Sequence, residues 1–502
     1  MLTRRIKSPD ISIDLGDPDL FGNDAAEEED RDVLASYFVE KKSLASFYSS
    51  SRPLKIVRAR KGMGKSALLR KIDHHVSRQE SAAFTVKAHG ADLVGLADLS
   101  SSDPLALIGR WQEAICRLIN LELSKRIRFA VNDASMLIVE SAEIANFKER
   151  NVIGALLDRL KFKGVPLEVA KTPARDGYRL LKAYTENAGA LNAWLLIDDI
   201  DSTFLNTPDA RLRVSTFFSA LRKLATEFAG LTIRVSVRTD VWTTIARADE
   251  AMDKCEQHTH DLTWSRAEFR SMQCKKILSY VQRHFPRSAV AGWSVTANAS
   301  DLLALVFPKT LTWSGRPVPA DDLVHRLAHS RPRWSGQLCR LAGHVAAMRG
   351  SPRILMQNIV AVLAQFRKLR LDDLHREHQH QFAAIQALTE AFARGDHIYD
   401  TDRLLETIHE GFVVKYGGLG NLPPLDGRHV QRPLELAHFL FRIGFISARD
   451  VHPSGYVGYV PYEERPQLLA NSINRDDGFA WDIHPSYRRH LGIGQKKRQR
   501  RQ

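Results

Sequence analysis

The chain has 502 residues, more than one ordinary domain holds, and its 44% hydrophobic and 26% charged residues fit a globular protein rather than a disordered or fibrous one. Its apolar runs, such as residues 191–197, fall far short of the roughly 20 residues that span a bilayer, and MLTRRIKSPD lacks the apolar stretch of a signal peptide, so no membrane role and a cytoplasmic setting are expected. Lysine and arginine total 72 against 58 aspartates and glutamates, a net charge of +14 that points to an anionic partner, nucleic acid first.

Residues 1–50 read as a lead-in: an acidic stretch (DLGDPDLFGNDAAEEEDRD), then a helix from Arg31 to about Ser46. From Leu54 the pattern becomes strand, glycine-rich turn and helix, with residues 54–59 β-compatible and 66–76 apolar at helical spacing. Residues 83–87 fit a second strand, 104–126 an amphipathic helix, and 127–180 a mostly helical insertion. The apolar run 193–197 ends in Asp198, Asp199 and Asp201, as a buried parallel strand does where its carboxyl end faces a ligand crevice. A helix over 210–228 and another apolar run at 231–237 follow, so strands alternate with helices and a three-layer α/β core is predicted over residues 51–262.

Residues 263–368 read as a helical domain, almost entirely helical from Ser265 to about Gln365. Residues 369–491 mix helices with a Gly/Pro-rich stretch (YGGLGNLPPLDG), a helix over 435–443 and a hairpin within 444–462, the element order of a winged helix. The basic tail, 492–502, either neutralises phosphates without reading sequence or merely solubilises the chain. Cys116, Cys255, Cys274 and Cys339 lack CxxC spacing and read as buried thiols.

Ala59-Arg60-Lys61-Gly62-Met63-Gly64-Lys65-Ser66 matches GxxxxGKS except at its first position. Gly62 and Gly64 let consecutive backbone N–H groups turn inward around a phosphate, with Met63 and Ala67 adding contacts of their own. Lys65 supplies a point charge to the β- and γ-phosphates of ATP, and the Ser66 hydroxyl is a ligand for Mg2+ at the start of the following helix. Hydrolysis also needs a held metal and an oriented water. Asp198 suits the metal and Asp199 the water, while Asp201 suits a cap or loop position.

Arg238, ending the next strand, is a candidate sensor of the γ-phosphate, with a surface ion pair as the alternative. Arg333, in SRPRW, is placed to lean over the nucleotide, and Arg247 is a candidate finger acting on a neighbouring subunit. His375, His378 and His380 lack a coherent helical face for a metal and read as a solvated helix; His258, His260 and Asp261 are read the same way.

Together, ARKGMGKSALL, WLLIDDID, VSVRTDVW and SRPRW resemble the AAA+/STAND division of P-loop ATPases, near archaeal and origin-recognition-like members; the Asp-Asp pair and the strand-end Arg look like the STAND side. FGNDAAEEED, RKGMGKSAL and DIHPSYRRHL also resemble a FunZ-like, DNA-repair-type family of bacterial ATPases sometimes found beside phage-defence genes. The resemblance implies an α/β ATPase core, a helical lid carrying Arg333, a winged-helix-like carboxyl-terminal domain and Mg-dependent ATP hydrolysis. DNA or an effector protein is the implied partner, with homo-oligomers in view. Ala59 in place of the first glycine, Asp-Asp rather than Asp-Glu, and no single assignable finger depart from the pattern and bear on hydrolysis rate and assembly. The expected function is an ATP-driven conformational switch in DNA repair or anti-phage defence. A STAND-like scaffold that oligomerises on sensing a protein ligand is the rival, and a small-molecule kinase is disfavoured.

Overall fold

A strand that is apolar on both faces, as residues 193–197 are, has to sit inside a covered sheet, and residues 231–237, with Thr232, Arg234 and Ser236 on one face, are covered as well. β3 (Ala193–Asp198) and β4 (Leu231–Val237) are buried at every position. In the computed structural model, described for residues 11–79, 83–126, 138, 176–187, 191–313, 315–328, 331–451, 457–462, 464–471 and 476–493, they form the centre of a five-stranded sheet. β1 (Leu54–Arg58), β2 (Phe84–His89) and β5 (Thr259–Asp261) complete it in the order β2-β3-β4-β1-β5, all parallel.

Side-chain alternation sends Ile56 and Leu195 to one face and Val57, Trp194 and Leu196 to the other. The first face is covered through Trp111 and Ile115 of one helix (Pro104–Ser124) and Phe217 and Phe218 of another (Pro208–Glu227). The second is covered by Leu68, Ile72 and Val76 of the helix Lys65–Gln79. This is the expected three-layer α/β core.

Residues ahead of β1 are more than a lead-in. Asp30 caps a short helix, Arg31–Tyr37, that stops because Phe38 turns extended (ψ 134°); Lys41 is then drawn to Glu268 at 2.9 Å. A 3-10 segment, Lys42–Tyr48, follows, so the single helix expected to about Ser46 is two pieces. Leu15, Leu20 and Phe21 are buried among the lid helices, while Leu44 and Phe47 lie under the sheet.

The lid region contains the helices Arg266–His284, Pro332–Met348 and Met356–His378. It is not almost entirely helical: β6 (Thr310–Trp313) and β7 (Arg316–Pro319) pair as an antiparallel hairpin, favoured by Thr310, Thr312, Trp313 and Val318, with Gly315 at φ 78° in the turn. The carboxyl-terminal region places helices Thr401–Ile408 and Pro433–Arg442 before the hairpin of β9 (Ile446–Val451) and β10 (Val457–Val460). With β8 (Ile398–Tyr399) and β11 (Ala480–Ile483) these make an antiparallel sheet ordered β10-β9-β11-β8, a winged-helix-like arrangement.

Most of the insertion expected over 127–180 and of the basic tail lies outside the described residues. No described helix is long and apolar enough to cross a membrane. All four cysteines are buried.

Candidate nucleotide site

β1 ends at Arg58 and the next helix starts at Lys65, so the intervening loop opens at the carboxyl edge of the sheet. Gly62 and Gly64 have φ of 80° and 102°, the left-handed region that glycine enters without cost. A Cβ at Gly64 would have open space, so the backbone conformation is what demands glycine there; at Gly62 it would also come within 3.4 Å of the Arg333 Cβ. Ala59 lies outside the left-handed region and its N–H donates to the Val237 carbonyl at 3.2 Å, so alanine satisfies the first loop position. The Lys65 side chain folds back over the loop and donates from Nζ to the Ala59 carbonyl at 3.1 Å.

Asp198 ends β3 and is buried; its carboxylate accepts the Ser236 hydroxyl from β4 and the Asp199 N–H at 3.1 Å. Asp199 adopts φ 54°, rare outside glycine, and this turns its carboxyl toward the cavity rather than along the strand. Gly90 makes that turn fit, since a Cβ on it would lie 2.5 Å from the Asp199 carbonyl oxygen and 2.3 Å from the Ile200 Cα. Partial burial and the neighbouring Asp198 charge raise the Asp199 pKa, with Lys65 opposing. Asp201 is buried, and its Oδ2 accepts the Arg238 backbone N–H at 2.7 Å, tying the loop after β3 to the end of β4.

These groups face a cavity of about 290 Å³, walled by residues 23–44, the phosphate loop and the lid helices. Met63, Ser66 and Ala67 lie along the loop and first turn, with Ser66 and Ala67 on the cavity wall. Three bonds lock the walls together: Trp264 Nε1 donates to the Met63 carbonyl at 2.8 Å, Arg333 N–H to Gly62 O at 3.3 Å, and Arg333 Nε to Asp24 O at 2.9 Å. Lys276 lines the same cavity, donates to Phe21 O at 2.6 Å and lies over the Tyr37 ring; burial pushes its ammonium down to about 8.

Ser66 and Asp198 share a second opening of about 330 Å³ with His89, whose strand position pairs with Asp198. No cluster of three or more His, Cys, Asp or Glu among the described residues could hold a metal. One hydroxyl and one carboxylate fit Mg2+, which keeps waters and takes phosphate oxygens as its other ligands.

The structure brings Gly62, Gly64, Lys65, Ser66, Ala67, Asp199 and Arg333 to one cavity, with Asp198 on the adjoining opening that Ser66 also lines. Arg238 is elsewhere: its guanidinium is in a buried ion pair with Asp240, neither over the phosphate cavity nor on the surface. Arg247 is exposed just past the helix Thr239–Ala246. His378 is buried rather than solvated, bonded through Nδ1 to Gln381 at 2.7 Å. Asn23, Asp24, Trp264, Lys276 and His89 also line these openings; in the sequence the FGND stretch is the one signal for the first two.

Strand order and loop geometry define an α/β P-loop NTPase fold, with a helical lid region and a winged-helix-like carboxyl-terminal region. No family model and no curated protein matches the chain. Among solved structures it is similar to the ORC2 protein of Aeropyrum pernix in ADPNP-ADP complexes, with a TM-score of 0.40 and 11% identity over 87% of this chain and 94% of that one. It is also similar to the ORC1 protein of Aeropyrum pernix in complex with DNA (TM-score 0.37, 12% identity, 86% of this chain and 93% of that one). Domain III of the Thermotoga maritima replication initiation protein DnaA gives a TM-score of 0.33 at 10% identity, over 67% of this chain and 98% of that one.

Proposed function

We propose that the chain is a Mg-dependent ATPase that works as a conformational switch on DNA. The observation that carries this is the convergence of a glycine cradle, Lys65, Ser66 and Asp199 on one cavity whose walls come from three parts of the chain, with Asp198 on an adjoining opening that Ser66 also lines. Mg-ATP supplies the phosphoryl group and the charge neutralisation. Backbone N–H groups from Gly62 to Ala67 bind the phosphates, and Lys65 exchanges the Ala59 carbonyl for phosphate oxygens. Ser66 and Asp198 hold the ion. Asp199 orients the attacking water and takes its proton; its raised pKa moves it toward the working pH, which favours a general base. Arg333 carries the lid's response, because its backbone N–H already rests on the loop.

The net charge of +14 and the helix–helix–hairpin order of the carboxyl-terminal region support DNA as the partner. The setting in DNA repair or anti-phage defence follows from the FunZ-like resemblance. A STAND-like scaffold that assembles on a protein ligand is the second reading, favoured by the Asp-Asp pair and by Arg238 at its strand end. Hydrolysis measured with double- and single-stranded DNA across a salt series separates them. Stimulation that fades with salt supports the DNA switch; turnover indifferent to DNA, with ATP-dependent assembly, replaces it with the scaffold.

A further inference from the structure

β4 lies between β3, which carries Asp198, and β1, which leads into the phosphate loop. Arg238 directly follows β4 and so starts from the edge of the sheet that faces the phosphates. Its side chain is nevertheless turned away. Nε and Nη2 donate to Asp240 at 3.1 and 2.5 Å, and Nε lies 3.7 Å from a Glu377 carboxylate oxygen, with all three side chains largely buried. Burial alone would raise the carboxyls of Asp240 and Glu377, but the Arg238 charge overrides it and holds both low, so the cluster is ionised.

Glu377 is in the last turn of the helix Met356–His378, whose Ile359, Val362 and Phe366 belong to the lid core and whose Leu371 and Leu374 belong to the carboxyl-terminal core. One rigid helix therefore connects Arg238 to both regions. Around it the carboxyl-terminal region grips the loop after Asp199: His380 and Gln381 bond to Phe204 O at 3.1 and 3.3 Å, and Asp426 accepts the Asn206 N–H at 3.1 Å. Asp426 is itself held by Arg442 at 2.7 Å. Lys61 of the phosphate loop lines both the nucleotide cavity and the small polar cavity beside Glu377.

Resting on the nucleotide-site reading above, we propose that Glu377 is a positioning residue that, with Asp240, holds Arg238 off the γ-phosphate, so that the carboxyl-terminal region restrains hydrolysis until Arg238 is recaptured by phosphate. The γ-phosphate and Glu377 compete for one guanidinium. When phosphate wins, the last turn of the helix loses its buried counter-charge and the grip of residues 377–381 on the Phe204 loop weakens. A bistable ion pair of this kind is a two-state element that both sites bias.

The test is steady-state hydrolysis by Glu377→Gln and Glu377→Asp, with hydrogen exchange on the wild type with and without a non-hydrolysable ATP analogue. Glu377→Gln keeps the shape and removes the charge, so kcat is expected to rise about fivefold with KM nearly unchanged. Glu377→Asp keeps the charge and is expected to stay within about twofold of wild type. In the wild type, which needs no variant to fold, the analogue is expected to increase exchange at residues 377–381 and 426–428. Unchanged kcat in Glu377→Gln, or equal protection with and without analogue in the wild type, overturns the proposal. Lys65→Ala, run beside them, is expected to lose both hydrolysis and the exchange response. If it keeps both, the nucleotide site itself is misplaced; if it loses both while Glu377→Gln matches wild type, the latch alone fails.

Discussion

Replacing Asp201 by Asn is expected to stabilise the free protein at neutral pH. Asp201 is 1% exposed; its Oδ2 accepts the Arg238 N–H, and its Oδ1 is buried without a hydrogen-bond partner among the described residues. Burial pushes its carboxyl up from 3.8 to about 6, with Arg238 and Lys65 pulling the other way. Because the folded pKa lies above the unfolded one, the native state binds more protons between about pH 4 and 6, and stability falls as pH rises through that window. The ionised carboxyl then costs the fold about 3 kcal/mol at pH 7.5 and about half of that at pH 5. Asn keeps the acceptor for Arg238 and removes the charge, but places an unpaired amide N–H at the buried Oδ1 position, a loss of about 1–2 kcal/mol. The net gain is about 1–2 kcal/mol at pH 7.5 and close to zero at pH 5. Urea unfolding followed by tryptophan fluorescence, without nucleotide, measures both. Destabilisation at pH 7.5, or an identical gain at both pH values, refutes the reasoning.

Gly62→Val forces a β-branched residue into φ 80° and against Arg333, so ATP affinity by calorimetry is expected to fall at least about tenfold; an unchanged affinity contradicts the cradle. Trp264→Phe removes the indole N–H from the Met63 carbonyl and is expected to weaken nucleotide binding about fivefold, roughly one hydrogen bond, with little change in kcat. His378 is buried and His438 half-buried, and loss of water pushes each imidazole down to about 4, with nearby charges adding to or opposing it, so both are neutral at pH 7. Their folded pKa values lie below the unfolded one, so the stability they permit is present above about pH 6.5 and lost as pH falls toward 4. The protection factor for hydrogen exchange around the buried Trp481, corrected for the intrinsic rate at each pH, is expected to fall over that range before that of β3 and β4 does; uniform protection throughout contradicts this.

The core was legible because local chemistry dictates it: residues 193–197 are apolar without a break, residues 231–237 alternate apolar and polar side chains at the strand period, and the loop glycine Gly64 is followed at once by Lys65 and Ser66. What stayed hidden depends on partners far along the chain. Lys41 finds Glu268, and the buried Arg234 bonds the carbonyls of Phe47, Ser49 and Arg52; these contacts turn an acidic lead-in into a cavity wall. The strand end of Arg238 was readable, whereas its capture by Asp240 and Glu377 was not, since nothing local distinguishes an arginine aimed at phosphate from one held by a carboxylate. The hairpin at 310–319 escaped because its strands are four residues each, too short for a period to show between helices.

The central claim, that Lys65, Ser66, Asp198 and Asp199 form one catalytic nucleotide site, is tested most directly by phosphate release from Mg-ATP alongside ATP binding. Wild type, Lys65→Ala and Asp199→Asn are compared. Lys65→Ala is expected to lose binding and turnover together, and Asp199→Asn to bind ATP normally while its kcat falls by about two orders of magnitude or more. Turnover by Lys65→Ala at the wild-type rate, or undiminished hydrolysis by Asp199→Asn, contradicts it.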